Sequence, residues 1–175
     1  MKPKSTIFVL IFVILFIVAV PLLLSSLNDR LSLPRLWFTT GITFGQFLLL
    51  AGGLALLNCF VVIKKFGQGT PVPTEPPKKL VTQGLFQFTR NPMYLALFAV
   101  ILGEFFYFGT LLLFIYFLFI FLSFHLYVVK KEEPELEKRF GQEYLEYKKK
   151  TPRWLFKKSI PEILASRQKK SPRTE

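Results

Sequence analysis

The sequence predicts an all-α integral membrane protein, with about four transmembrane helices, a C-terminal amphipathic helix and a ligand site on the cytoplasmic side. Three observations support this fold class. Hydrophobic residues make up 51% of the 175 residues, and 21 of them are phenylalanines, more than one small water-soluble core can bury. The mean hydropathy is +0.41. Lys and Arg nevertheless outnumber Asp and Glu by 23 to 11, so basic, water-facing segments must accompany the apolar ones.

Four uncharged apolar stretches define the predicted membrane helices, and they cover residues 7–24, 41–63, 92–103 and 105–129. A bilayer-spanning helix needs about 20 apolar residues, so the first, second and fourth are long enough alone. We expect the third to continue to about residue 106 and to turn at Gly109 into the fourth. We expect the first to be a retained helix, because no small-residue cleavage site of a signal peptide follows it. The G-x-x-x-G motif of Gly41 and Gly45 and the pair Gly52-Gly53 predict close helix packing.

The basic residues predict the orientation of these helices. Two Lys or Arg residues precede the first helix, five lie in the loop 64–91 and fourteen follow residue 129, whereas the other two loops carry two and none. Under the positive-inside rule, both termini and the loop 64–91 therefore face the cytoplasm. The same charges favour contact with anionic lipid headgroups. We expect a lipid bilayer and no nucleic acid among the partners, and the sequence indicates no particular protein partner.

One domain is predicted over residues 1–160, followed by a basic tail, 161–175, that we expect to be disordered. A single cysteine cannot form an internal disulfide, and a single histidine excludes a metal site built from several histidines. No metal is therefore expected.

The one histidine, His125, precedes Glu132 by two helical turns and shares its helix face. A lone histidine at this depth is more often a structural hydrogen-bonding group, and we keep it as a possible site residue.

Two cytoplasmic segments carry local structure signals. Prolines and glycines dominate residues 66–77 and predict a stiff, extended segment. It is either a linker or a place where Gly67 and Gly69 let a ligand approach the backbone. Asn91 and Pro92 suit the cap and first turn of the third helix. After residue 133 the sequence predicts one amphipathic helix over 134–149, with Leu136, Phe140, Tyr144 and Tyr147 on one stripe. That stripe either lies on the membrane surface or packs against the helix bundle.

Two blocks of the sequence resemble the membrane-integral methyltransferases, the superfamily of isoprenylcysteine carboxyl methyltransferase and phosphatidylethanolamine N-methyltransferase. Residues 80–94 are similar to the pattern L-V-x-x-G-x-[YF]-x-x-x-R-[HN]-P-x-Y, and residues 132–152 are similar to the E-E-x-x-L-x-x-x-F-G-x-x-Y-x-x-Y tail with its following proline. The carboxyl methyltransferases usually have His at the position of Asn91. The first block is therefore closer to the phospholipid enzymes.

The resemblance implies S-adenosylmethionine as methyl donor and a lipid-like or amphipathic acceptor, a carboxylate or an amine. Glu132 and Glu133 would match the acidic pair that holds the donor, whose sulfonium and ammonium charges such carboxylates suit. Arg90 would orient the acceptor, and Glu132, His125 or Tyr94 would take the proton of an amine. Arg90 and Glu132 are thus the expected catalytic residues, and Tyr144 is an additional candidate. By position, the expected donor-binding residues are Gly67, Gly69, Lys79, Leu80, Val81, Phe86, Asn91, Pro92, Met93, Tyr94, Glu132 and Glu133.

Two other functions fit the same residues. The C-terminal parts of membrane sterol reductases look similar and bind NADPH, although those chains have more helices. A non-enzymatic lipid-binding or scaffolding protein of the same fold is the other alternative. Binding of S-adenosylhomocysteine would separate the methyltransferase from both.

Overall fold

The computed structural model describes residue 11 and residues 14–36, 40–71 and 75–154. Within these residues the secondary structure is helical and contains no strand, which confirms the all-α prediction; Arg35 and Thr110 form an isolated antiparallel bridge. We number six α-helices, α1 to α6, which are Val20–Arg30, Gly41–Val62, Pro92–Phe108, Leu111–Tyr127, Glu133–Phe140 and Gln142–Lys150. Shorter helical segments, three π-helical and one 3₁₀, are Ile14–Ala19, Ile63–Gly67, Val128–Glu132 and Gly84–Gln87.

Among the described residues, two continuous helical stretches are long and apolar enough to cross a membrane. They are Gly41–Gly67, which contains α2, and Leu111–Phe140, which contains α4 and α5. The uncharged part of the second stretch ends at Val129, before Lys130. Helix α3 is apolar but shorter, with 17 residues. Part of the first predicted span and the whole C-terminal tail lie outside the described residues, so the four-span arrangement and its orientation stay predictions.

The turn between α3 and α4 lies where the sequence placed it. Gly109 ends α3 with a φ of +66°, a left-handed conformation that glycine adopts without steric cost, and its N–H donates to the carbonyl of Phe105 at 2.8 Å. The N–H of Leu36 donates to the Gly109 carbonyl at 2.6 Å. The loop that follows α1 is therefore bound to this turn.

Helices α2 and α3 pack at backbone distance. A Cβ atom added to Gly45 would lie 2.7 Å from the carbonyl oxygen of Gly103, and one added to Gly52 would lie 2.8 Å from that of Ala96. The predicted role in close packing is therefore confirmed for Gly45 and Gly52. A Cβ atom on Gly53 would meet no atom within 4 Å, so the second glycine of the pair does not take part.

The prediction of one amphipathic helix over 134–149 is wrong, because the helix breaks at Gly141. Helix α5 ends at Phe140 and α6 begins at Gln142, and Gly141 between them has a φ of +54°. Helical residues have a negative φ, so this residue ends the first helix. Tyr144 and Tyr147 on α6 are buried, whereas Leu136 and Phe140 on α5 are only half-buried.

We predict that Gly52→Ala destabilises the fold and that Gly53→Ala does not. The added methyl group of Gly52→Ala meets backbone and Val100 atoms at 2.8 Å, and overpacking of this kind costs about 1–3 kcal/mol. Gly53→Ala adds its methyl group in open space and should be neutral or up to about 1 kcal/mol stabilising, by helix propensity. Unfolding of the two purified variants by a denaturing detergent measures the difference. Equal stability of both would contradict the packing argument.

Candidate active site

The start of α3 lies against the segment that follows α6. The N–H of Arg90 donates to the Pro152 carbonyl at 2.9 Å. The hydroxyl of Thr89 and the side-chain amide of Asn91 both donate to the carbonyl of Arg153, at 3.0 and 2.9 Å. Asn91 occupies the cap position before Pro92, as predicted, but its side chain does not cap the helix. These bonds hold the two blocks that carry the family resemblance together.

A buried carboxylate with cationic neighbours forms the centre of this region. Glu133 is 4% exposed. Arg153 donates to both of its oxygens, at 2.6 and 3.1 Å, and Arg90 Nη1 lies 3.0 Å from one of them. Lys148 Nζ lies 3.6 Å from the other oxygen. The same Arg90 nitrogen donates to the hydroxyl of Tyr144 at 3.1 Å, so this candidate residue belongs to the ion network.

The surroundings of Glu133 keep it ionised. Burial alone would raise the pKa of its carboxyl, but the hydrogen bond from Arg153 and the charges of Arg90, Arg153 and Lys148 together lower it below its usual value. Glu133 is therefore an anion at neutral pH, and it already has strong partners within the chain.

Glu132 has a different neighbour. The hydroxyl of Tyr94 donates to Glu132 Oε2 at 2.7 Å, and the Tyr94 ring packs on Phe124, with ring centroids 4.8 Å apart. Burial, the larger influence, raises the pKa of Glu132 despite this hydrogen bond, and the nearby charges of Glu135 and Glu133 raise it further. Among the described residues, Tyr94 uses one oxygen of Glu132 and leaves the other available to a ligand.

The loop before α3 is held by its own backbone and by α6. The N–H groups of Lys78 and Lys79 donate to the Gly67 carbonyl at 2.7 and 3.1 Å. A Cβ atom on Gly69 would lie 2.7 Å from the Pro76 carbonyl oxygen. Both glycines are therefore approached closely by the backbone of residues 76–79. On the other side of the loop, Tyr147 donates to the carbonyl of Phe86 at 2.6 Å.

The predicted donor-binding residues come from the start of α3, from the loop before it and from the two glutamates at the start of α5. Tyr94, Glu132 and Glu133 lie with the α3 start. Lys79 and Leu80 line a cavity of about 610 Å³ together with Phe140 and Glu143. Val81 is buried and lies beside Gly67. A Cβ atom added to Gly67 would lie 2.9 Å from the Val81 side chain. Met93 is half-buried in the first turn of α3.

An apolar groove of about 290 Å³ lies between α2 and α3. Its walls include the small residues Ala51, Gly52 and Ala55 on α2 and Ala96 and Ala99 on α3. At one end it reaches Thr89 and Trp154, next to the ion network. The groove lies between two helices that approach at backbone distance, and the small side chains at their interface leave the space.

Sequence reasoning missed Arg153, Trp154 and Lys148. Trp154 donates from Nε1 to His125 Nδ1 at 3.0 Å and packs on Phe98, with ring centroids 5.7 Å apart. His125 is thus a hydrogen-bonding partner of the C-terminal segment. Pro152 ended the matched tail block, and the arginine and tryptophan directly after it were the available signal. Their partners are distant in the sequence, so no local spacing could identify them.

A comparison with family models supports the resemblance from a larger part of the chain. A model described as phospholipid methyltransferase matches residues 35–143, which is more than half of the 175 residues. No curated protein matches the chain significantly, and neither does any solved structure. The match begins before α2 and ends in α6, so it contains Arg90, Tyr94 and both glutamates.

We predict that Glu133→Gln destabilises the protein by about 3 kcal/mol at pH 7, because it leaves the buried Arg90 guanidinium without its anion. The folded-state pKa of Glu133 lies below the unfolded value of about 4.3, so the wild-type contribution is complete above that pH. It is lost as the pH falls through the folded-state pKa. Detergent-denaturation midpoints between pH 7 and pH 3 measure both effects.

Glu146→Gln, on the exposed side of α6, is the control and should change stability by less than about 0.5 kcal/mol. A pH dependence in Glu133→Gln equal to that of the wild type would contradict this account.

Proposed function

The chain belongs to the phospholipid methyltransferase family, and we propose that it transfers a methyl group from S-adenosylmethionine to a lipid-like acceptor at the cytoplasmic membrane face. The observation that carries this proposal is the 2.7 Å hydrogen bond between Tyr94 and Glu132. This bond joins the two sequence blocks that resemble membrane methyltransferases, although Tyr94 and Glu132 are 38 residues apart in the sequence. Family membership supports methyl transfer, and the donor, the face and the residue roles are our proposal.

The residues around Glu132 suit a donor with two positive charges. S-adenosylmethionine, when bound, supplies a methyl group on a positively charged sulfur. The carboxylate of Glu132 has an oxygen that no described residue engages, and the hydrogen bond from Tyr94 fixes its orientation. A carboxylate in a partly buried site attracts a cation more strongly than the same group in water. Glu133 contributes by holding Arg90 and Arg153 in place.

Arg90 suits an acceptor that carries an oxygen anion. Its Nε is buried and has no hydrogen-bond acceptor among the described residues, while Nη1 is engaged by Glu133 and Tyr144. A buried donor without a partner costs free energy, and an acceptor carboxylate or phosphate oxygen would relieve that cost. Arg90 would thus hold the acceptor in line with the reacting carbon, since alignment is the main requirement of methyl transfer.

An amine acceptor must also lose a proton. Glu132 is suited to take it, because burial raises the pKa of its carboxyl toward the range in which a general base works well. His125 is less suited, since its Nδ1 already accepts the hydrogen bond from Trp154. A carboxylate acceptor would need no base.

We predict that the purified, detergent-solubilised protein binds S-adenosylhomocysteine and that Glu132→Gln weakens this binding. Loss of a charged hydrogen-bond acceptor costs about 1.5–3 kcal/mol, which corresponds to roughly tenfold to a hundredfold in affinity. Calorimetric titration measures it, with NADPH as the comparison ligand. Glu135→Gln, an exposed carboxylate on α5, is the matched control and should bind as the wild type does. A folded wild type that bound NADPH and not S-adenosylhomocysteine would overturn the proposal in favour of a reductase.

We also predict that Arg90→Lys lowers the turnover far more than the affinity for S-adenosylhomocysteine. Lysine keeps the charge beside Glu133 but lacks the planar fork that orients an acceptor. Transfer of a labelled methyl group into a membrane lipid extract measures turnover, and calorimetry measures affinity. An equal loss of both would make Arg90 a donor-binding or folding residue.

A further inference from the structure

We propose that Tyr147 is a positioning residue for the methyl transfer, because its hydroxyl holds the backbone before α3 where Arg90 can face the methyl acceptor. The inference rests on the proposed function, in which Arg90 orients that acceptor. It gives a role to a tyrosine that the sequence placed only on an amphipathic stripe. Tyr147 bonds to the backbone, so it acts through Arg90 and does not touch the reacting groups itself.

The Tyr147 hydroxyl lies between two backbone carbonyls of the segment before α3. It donates to the carbonyl of Phe86 at 2.6 Å and lies 3.5 Å from the carbonyl oxygen of Thr89. Phe86 belongs to the 3₁₀ segment Gly84–Gln87, and carbonyls at the end of a helical segment need partners from outside it. Thr89 directly precedes Arg90. One hydroxyl on α6 therefore holds the chain at two points that lead into Arg90.

Burial makes this hydrogen bond hard to replace. Tyr147 is buried, and a buried polar group that loses its partner costs free energy because water does not take the partner's place. Burial also raises the pKa of the Tyr147 hydroxyl, which therefore keeps its proton and donates at neutral pH. The charge of Arg90 acts on this pKa in the opposite direction, by a smaller amount. The guanidinium is thus close enough to interact with the hydroxyl.

Arg90 is held at both its side chain and its backbone. Its Nη1 donates to the Tyr144 hydroxyl at 3.1 Å, and its backbone N–H donates to the Pro152 carbonyl at 2.9 Å. Tyr144 and Tyr147 are three residues apart on α6 and share a helix face, with ring centroids 6.3 Å apart. This face of α6 therefore fixes the guanidinium through Tyr144 and the preceding backbone through Tyr147.

The direction of Arg90 Nε depends on both of these contacts. The nitrogen is buried and has no hydrogen-bond acceptor among the described residues, and in the proposed function it meets an oxygen of the methyl acceptor. If the backbone before Arg90 shifted while Nη1 stayed on Glu133 and Tyr144, the guanidinium would rotate and Nε would point elsewhere. A misplacement of about 1 Å can lower a reaction rate about a hundredfold. A hydrogen bond to the backbone can therefore change the turnover without a contact to the substrate.

The test uses Tyr147→Phe, which keeps the buried ring and removes only the hydroxyl. Tyr107→Phe, at an exposed tyrosine near the other end of α3, is the matched control. Calorimetric titration of each detergent-solubilised variant with S-adenosylhomocysteine gives the affinity and the number of binding sites. Transfer of a labelled methyl group from S-adenosylmethionine into a membrane lipid extract then gives the turnover per binding site, which excludes unfolded protein from the comparison.

We expect Tyr147→Phe to lower the turnover per site roughly tenfold and to change the affinity for S-adenosylhomocysteine by less than about twofold. Tyr107→Phe should equal the wild type in both. The double variant Arg90→Lys/Tyr147→Phe should be no more than about twofold slower than Arg90→Lys alone, because residues that act through one group have non-additive effects.

Three results would overturn the role of Tyr147 and leave methyl transfer standing. They are a turnover per site in Tyr147→Phe equal to that of the wild type, a loss of binding sites that accounts for the whole loss of turnover, and losses that multiply in the double variant. The second result would make Tyr147 a purely structural residue. A folded wild type that neither bound S-adenosylhomocysteine nor transferred the label would overturn the proposed function, and this role with it.

Discussion

The burial of the Glu133 carboxylate is the constraint on which the cytoplasmic end of this molecule depends. A buried charge is tolerated only with close partners, and the partners come from distant segments, Arg90 before α3 and Arg153 after α6. The chain can satisfy this carboxylate only when the whole helical unit has closed. The same two segments are joined by the hydrogen bond from the Arg90 N–H to the Pro152 carbonyl and by the one from the Asn91 side-chain amide to the Arg153 carbonyl. Tyr94, one turn further along α3, then comes to lie beside Glu132.

The adjacent residues Glu132 and Glu133 contact different groups because of the helix geometry. Successive residues in a helix point about 100° apart, at 3.6 residues per turn, so Glu132 and Glu133 cannot both face the same group. Glu133 faces the two arginines, and Glu132 faces Tyr94. The acidic pair therefore divides into one carboxylate that the fold needs and one that it leaves partly free. In a family of methyltransferases, the second is the better candidate for contact with a ligand.

The sequence predicted those features that are set by local chemistry. Gly109 ended α3 because a turn needs a left-handed residue there, and Gly45 and Gly52 allowed close packing because they have no side chain. The break at Gly141 was missed, since apolar residues at 136, 140, 144 and 147 keep a helical period across it. Arg153 and Trp154 were missed because their partners are 20 and 29 residues away. The path of the loop that carries Gly67, Lys79 and Leu80 could not be predicted, because residue spacing does not determine the course of a loop.

The break at Gly141 makes α5 a spacer of fixed length. Its eight residues set both the distance and the rotation between Glu133 and the tyrosines of α6. One residue more or less would turn α6 by about 100° and carry Tyr144 away from Arg90 and Tyr147 away from Phe86. The protein can therefore accept many side chains on the exposed face of α5 but no change in its length. Evolution of this segment should proceed by substitution, while insertions and deletions are confined to the loops.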